Sequence, residues 1–117
     1  STTAVALAGL AAIVGHMFTI FLKGQGGKGV ATSLGVALGL SPPLALLCFA
    51  VYALAYAATR LSSLGSLLGI WSFPVAALVQ GRLAREYIWL SVATALLVTL
   101  RHRDNITRLL RGEEKRT

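Results

Sequence analysis

Two long apolar runs dominate the middle of the chain. Residues 43–59, "PLALLCFAVYALAYAAT", and residues 63–80, "SLGSLLGIWSFPVAALVQ", are separated by three residues, of which only Arg60 is charged. A helix needs about 20 apolar residues to cross a bilayer, and both runs approach that length. Charged residues make up 13% of this chain, where a soluble domain carries about a quarter. Lipid satisfies no open backbone group, which leaves a helical bundle as the form available. The sequence therefore predicts an all-α, polytopic transmembrane bundle, a single integral membrane domain over residues 1–117.

Three further apolar stretches bring the expected membrane segments to about five. They are residues 2–22, 30–41 and 86–100, with a polar tail from Arg101. The second is short for a crossing. Pro42 and Pro43 mark a turn that ends one helix and opens the next. Gly81 is placed to close the fourth segment, as a helix C-terminal glycine, and Pro74 is expected to kink it. Glu86 opens the fifth, where a carboxylate suits the helix dipole. Gly35/Gly39 and Gly65/Gly69 each have the spacing that lets helices approach closely. The one cysteine, Cys48, lies inside an apolar run and reads as a small buried side chain.

The basic residues give an orientation. With five crossings, Lys23, Lys28, Arg60, Arg101, Arg103, Arg108, Arg111, Lys115 and Arg116 fall on one side, and Arg82 and Arg85 on the other. The positive-inside rule makes the rich side cytoplasmic. Three polar segments then share that face: "KGQGGKGVAT" at 23–32, "RLSSLGS" at 60–66 and "RHRDNITRLLRGEE" at 101–114. Tyr87 and Trp89 suit an aromatic belt at the opposite interface, whereas Trp71, in mid-segment, does not.

The glycine loop contains a literal G-x-G-x-x-G, but no strand precedes it, and Gly29 stands where a Walker loop needs Ser or Thr. Nucleotide folds are therefore set aside. Glycines still allow successive N–H groups to converge on one anion. A helix starting near Val30 would point its N-terminus at the loop. Gly26, Gly27, Lys28, Gly29 and Thr32 are thus candidates for holding a phosphate, against the plainer reading of a flexible turn whose lysines set topology. In the serine turn, Ser62, Ser63 and Ser66 beside Arg60 suit either a helix cap or hydrogen bonds to phosphate oxygens. In the tail, Arg101, Asn105 and Arg108 form one helical stripe, and His102 and Asn105 share a side. Attraction to anionic lipid explains the charges but not the His and Asn. His16 is an ionisable group inside a span, either functional or a satisfied structural residue.

The four acidic residues, Glu86, Asp104, Glu113 and Glu114, give no carboxylate pair, and no Cys/His cluster would hold a metal. Neither histidine begins a His-x-x-x-x-Asp pattern, since Phe21 and Thr107 occupy the fifth positions on. Such an inventory binds phosphate well and offers little acid–base machinery. It suits a reaction with a phosphate leaving group, catalysed by positioning and charge stabilisation. The substrates would be one membrane-borne apolar partner and one anionic cytosolic partner. A transporter or channel fragment for a phosphorylated solute is the alternative, although polar groups clustered at one face favour an interfacial enzyme.

In order along the chain, "GHMFTIFLKGQGGKGVAT", "RLSSLGS" and "RHRDNITRLLRGEE" resemble the second motif, the serine turn and the C-terminal motif of the bacterial acyl-phosphate:glycerol-3-phosphate acyltransferases, the PlsY family. That family has about seven spans in the bacterial inner (cell) membrane, with its motif loops and C-terminus cytoplasmic. It transfers a fatty acyl group from acyl phosphate to the 1-hydroxyl of glycerol 3-phosphate, giving lysophosphatidic acid and phosphate in the first acylation of phospholipid synthesis. The resemblance implies no cofactor, no metal and no nucleic-acid partner. The expected partners are acyl phosphate, glycerol 3-phosphate and the bilayer. It implies that Gly26, Gly27, Lys28 and Gly29 hold a substrate phosphate, that Ser63 lines the phosphate pocket, and that His102 and Asn105 contact the substrates. Glu114 matches an acid of the C-terminal motif and reads as structural. His16, Arg60, Ser66 and Arg101 are further candidates. The family is thought to use a substrate phosphate to take the hydroxyl proton. This chain departs from the pattern at Thr19, Gly24 and Gln25. The family's first motif belongs upstream of Ser1, so the chain is expected to be an N-terminally truncated fragment, inactive alone.

Overall fold

The computed structural model describes residues 2–6, 8–9 and 30–116, without the side chains of residues 30–32. His16, Gly26, Gly27, Lys28, Gly29 and the side chain of Thr32 lie outside the described residues, as does most of the first apolar segment. The described residues are helical, with no strand among them. The helices are α1 (Val30–Leu40), α2 (Pro42–Thr59), α3 (Ser62–Gln80), α4 (Arg85–Arg101) and α5 (Arg103–Leu110).

The boundaries follow from local chemistry. Ser41 is extended, and its Oγ accepts from Leu44 N at 3.5 Å. Pro42 follows it at the first helical position, where its missing N–H costs nothing. Gly81 closes α3 with φ 69. Arg60 closes α2 in the same left-handed region, with φ 59, a conformation that costs a non-glycine residue about 1–2 kcal/mol. Its guanidinium lies 5.2 Å from the centre of the Tyr56 ring, and Tyr56 stacks on Tyr52. The αL turn thus aims Arg60 back over its own helix. Leu61, not a serine, is the residue before α3, and no side chain caps that end.

α2 and α3 are 18 and 19 residues long, and both are long and apolar enough to cross a membrane. α1, with 11 residues, reaches about 16 Å, roughly half of a hydrocarbon core. α4, with 17, reaches about 25 Å. Large apolar side chains stand exposed on the outer faces, among them Leu46, Leu54, Val75, Leu78, Val79 and Leu96. Helices apolar on every side suit surroundings that are themselves apolar.

Inside, the seam between α2 and α3 is built on small residues. A Cβ on Gly65 would come 3.0 Å from both the Tyr52 ring and its carbonyl, and one on Gly69 would come 3.0 Å from Cys48 O. The second glycine pair behaves differently: among the described residues nothing lies within 4 Å of a Cβ on Gly35 or Gly39. α4 joins α3 through Trp71, whose Nε1 donates to Thr99 Oγ1 at 2.8 Å. That bond accounts for a tryptophan in mid-segment. Leu44, Cys48, Phe73 and Ala77 form a buried core cluster where α2 meets α3.

Candidate active site at one end of the bundle

Successive helices α1 to α4 run up and down. The starts of α1 and α3 and the ends of α2 and α4 therefore meet at one end of the bundle, and α5 folds across it. The link between α4 and α5 is His102. Its backbone N–H bonds Val98 O and Thr99 O, and its carbonyl accepts the first bond of α5 from Ile106. The imidazole is 4% exposed, with Nδ1 2.8 Å from Val98 O. A carbonyl only accepts, so Nδ1 carries the proton and, in the neutral ring, Nε2 carries the lone pair.

α5 ends in a left-handed turn at Gly112, φ 68. Gly112 N donates to Leu109 O and Glu113 N to Arg108 O, the paired bonds of a Schellman motif. This reversal carries Glu114 back over α5. Its carboxylate collects three donors. Ser63 Oγ donates to Oε2 at 2.5 Å, Asn105 Nδ2 donates to Oε2 at 2.7 Å, and Arg108 Nε donates to Oε1 at 2.8 Å. The Glu114 side chain is 8% exposed. The Ser63 hydroxyl, with the Arg108 and Asn105 donors behind it, holds its carboxyl at about 2 against an ordinary 4.5, although burial pushes the other way. Hydrogen bonds to an ionised carboxylate are short and strong, so this clasp ties the tail to the start of α3.

Beside the clasp lies a cavity of about 420 Å³. Ser33, Ser62, Ser66 and His102 form its polar rim; Leu34, Val36, Ala37 and Ile70 lie along its wall. Thr94 and Ser91 also line it, but their hydroxyls donate to Leu90 O and Ile88 O of their own helix, which leaves the deeper wall apolar in effect. Tyr52 lines the cavity too, its OH 3.3 Å from Ser62 Oγ. Among the described residues, no three His, Cys, Asp or Glu side chains gather as a metal site would need.

Of the expected site residues, His102 and Ser66 line the cavity, and Ser63 and Asn105 meet on Glu114 behind it. Ser63 caps no helix; its hydroxyl faces Glu114, while Ser62 and Ser66 line the cavity. Arg60 is exposed at the end of α2, and Arg101 is half-buried at the end of α4. Sequence reasoning missed Ser33 and Tyr52 as cavity residues and Arg108 as a partner of Glu114; Ser62 was among the serine-turn candidates. Arg108 was visible on the Arg101/Asn105 stripe. Tyr52 had no signal, because its partner comes from another helix.

Residues 1–112 match the family model described as Glycerol-3-phosphate acyltransferase. The chain is 48% identical over 110 residues to a glycerol-3-phosphate acyltransferase of Anaeromyxobacter sp. (strain Fw109-5), covering 94% of this chain and 54% of the relative. It is 44% identical to one of Neisseria meningitidis serogroup B, covering 99% and 58%. Crystal structures of PlsY, an integral membrane glycerol 3-phosphate acyltransferase, superpose with TM-scores of 0.88 for the glycerol 3-phosphate form and 0.87 for the lysophosphatidic acid form. Both are 37% identical, and the first covers 96% of this chain and 56% of the solved one. The chain belongs to the glycerol-3-phosphate acyltransferase family and is a membrane protein. It spans about half the length of the curated relatives it matches.

Proposed function

We propose that this chain forms the substrate-binding part of an enzyme that transfers a fatty acyl group from acyl phosphate to the 1-hydroxyl of glycerol 3-phosphate. The hydroxyl oxygen bonds to the acyl carbon, the bond from that carbon to the phosphate oxygen breaks, and the hydroxyl proton leaves with phosphate. The observation that carries the reading is one cavity with His102 and three serines at its rim and an apolar wall below. That polarity matches an acyl donor with a charged head. His102, its ring fixed through Nδ1, stands at the rim where the substrate head would lie. Asn105 and Ser63, held by Glu114, set the tail against the rim. The loop residues Gly26, Gly27, Lys28 and Gly29, with Thr32, supply the phosphate cradle in this reading. Lys28 is its charge, and the start of α1 gives a helix dipole. No side-chain base is needed if a substrate phosphate takes the proton.

The remaining topology is part of the same proposal: about five crossings in this chain, in a bacterial inner membrane, with the rim toward the cytoplasm. Support comes from the nine basic residues assigned to the rim side and from the membrane character of the relatives. The relatives and solved structures reported above carry acyltransferase names, and no observation favours the transporter reading.

The test is to express the chain with its natural flanking sequence and to supply acyl phosphate and glycerol 3-phosphate. Phosphate release matched one-to-one by lysophosphatidic acid is expected. Lys28→Ala should raise the glycerol 3-phosphate requirement or abolish turnover; unchanged kinetics in that variant would remove the loop from the site. His102→Ala should lower kcat/KM by about 10²-fold through loss of substrate positioning.

A further inference from the structure

The cavity is layered. Ser62, Ser66, Gly69, Ile70 and Phe73 lie along one stripe of α3, so rim and floor are eleven residues apart on a single helix, about 16 Å. The other helices keep the same register. Leu40 of α1, Cys48 of α2 and Leu90 of α4 line the cavity at the level of Phe73. One turn deeper, Leu44 and Ala77 belong to the same buried cluster as Cys48 and Phe73 but do not line the cavity. Beneath the Phe73 layer, Leu44 and Ala77 are 4% and 0% exposed. Phe73 is the largest side chain of that layer and is only 3% exposed.

Resting on the acyltransferase reading, we infer that the layer of Leu40, Cys48, Phe73 and Leu90 is a length stop for the acyl chain, with the Phe73 ring as its main piece. An unbranched chain whose head sits at the rim runs down the α3 stripe past Gly69 and Ile70 and meets the ring. A longer chain has to displace a packed aromatic or leave its terminal carbons outside. The enzyme therefore accepts acyl phosphates up to a defined length and discriminates sharply beyond it. One methylene too many in an apolar pocket changes kcat/KM by about tenfold or more.

The experiment uses the protein with its natural flanking sequence, in lipid vesicles. Saturated acyl phosphates rising in two-carbon steps compete for glycerol 3-phosphate, and the lysophosphatidic acids formed are weighed by mass spectrometry. Phe73→Leu is expected to move the cut-off to longer chains, raising kcat/KM for the first excluded length by on the order of tenfold relative to the wild-type optimum. Ala37→Leu, which adds bulk to the wall halfway down, is expected to move the cut-off the other way by a similar factor. Profiles that superimpose on the wild type, or that move in one direction for both variants, overturn the stop. If Phe73→Leu does not fold, an unmoved profile for Ala37→Leu overturns it alone. A wild-type protein that consumes no acyl phosphate of any length overturns the acyltransferase reading instead, and the stop falls with it.

Discussion

Two of the places where α3 meets the rest of the bundle are held by opposite means. At its start, Ser63 is tied to the tail by a carboxylate that gathers a hydroxyl, an amide and a guanidinium. Along its middle, Gly65 and Gly69 let the backbone of α2 come so close that a single carbon would clash. The first contact is electrostatic, specific and titratable. The second is steric and indifferent to pH. The chain uses charge at the end of the bundle and close approach along its length, because in lipid the burial of apolar surface no longer drives helices together.

The sharpest way to break this contrast is Glu114→Ala. It leaves the Ser63 hydroxyl, the Asn105 amide and the Arg108 charge without their common acceptor. The expected loss is about 3 kcal/mol, read as a lower melting temperature in detergent, while Arg82→Ala, far from the clasp, should shift nothing measurable. Acid should do the same more gently. The folded pKa of Glu114 lies below its unfolded value, so its contribution is complete above about 4.5 and is lost as pH falls toward about 2. Melting temperature should drop across that window in the native chain, and the drop should shrink in Glu114→Gln. Gly69→Val tests the steric contact. It should cost about 1–3 kcal/mol by forcing α2 from α3, with no dependence on pH. Gly112→Ala should cost about 1 kcal/mol, since φ 68 suits only glycine there and the reversal that delivers Glu114 would be strained. Smallest of all, Gly35→Ala should be neutral or stabilising by less than about 1 kcal/mol. A large loss there would mean that the Gly35 face has a partner.

That last pair shows where sequence stops informing. Gly35/Gly39 and Gly65/Gly69 have the same spacing, but only one pair lies against another helix among the described residues. Spacing reports the pitch of one helix and says nothing of what stands opposite. Helix ends were legible because prolines and glycines act locally: Ser41–Pro42 opens α2, and Gly81 closes α3. The serine turn was half legible. Its polar character was plain, but the division of labour was not, with Ser62 and Ser66 at the cavity and Ser63 at the clasp. That division depends on Glu114, 51 residues away. Trp71 was unexplained until Thr99 supplied its acceptor. Glu114 itself came only from resemblance, because one acid near a basic helix has several partners equally near in sequence. The loop candidates from Gly26 to Gly29 remain an expectation carried into the proposal.

The 51-residue separation also has a temporal side. Ribosomes add roughly 5–20 residues each second, so the start of α3 waits about three to ten seconds for Glu114 to be made. During that interval the helices between can insert and pack while the rim is still open at the tail. Assembly of the membrane helices and closure of the clasp are thus successive events, and the carboxylate acts as a latch that closes after α3, α4 and α5 are made. A chain cut after Gly112 should hold that earlier state permanently, and its α5 should be cleaved by protease faster than that of the intact chain.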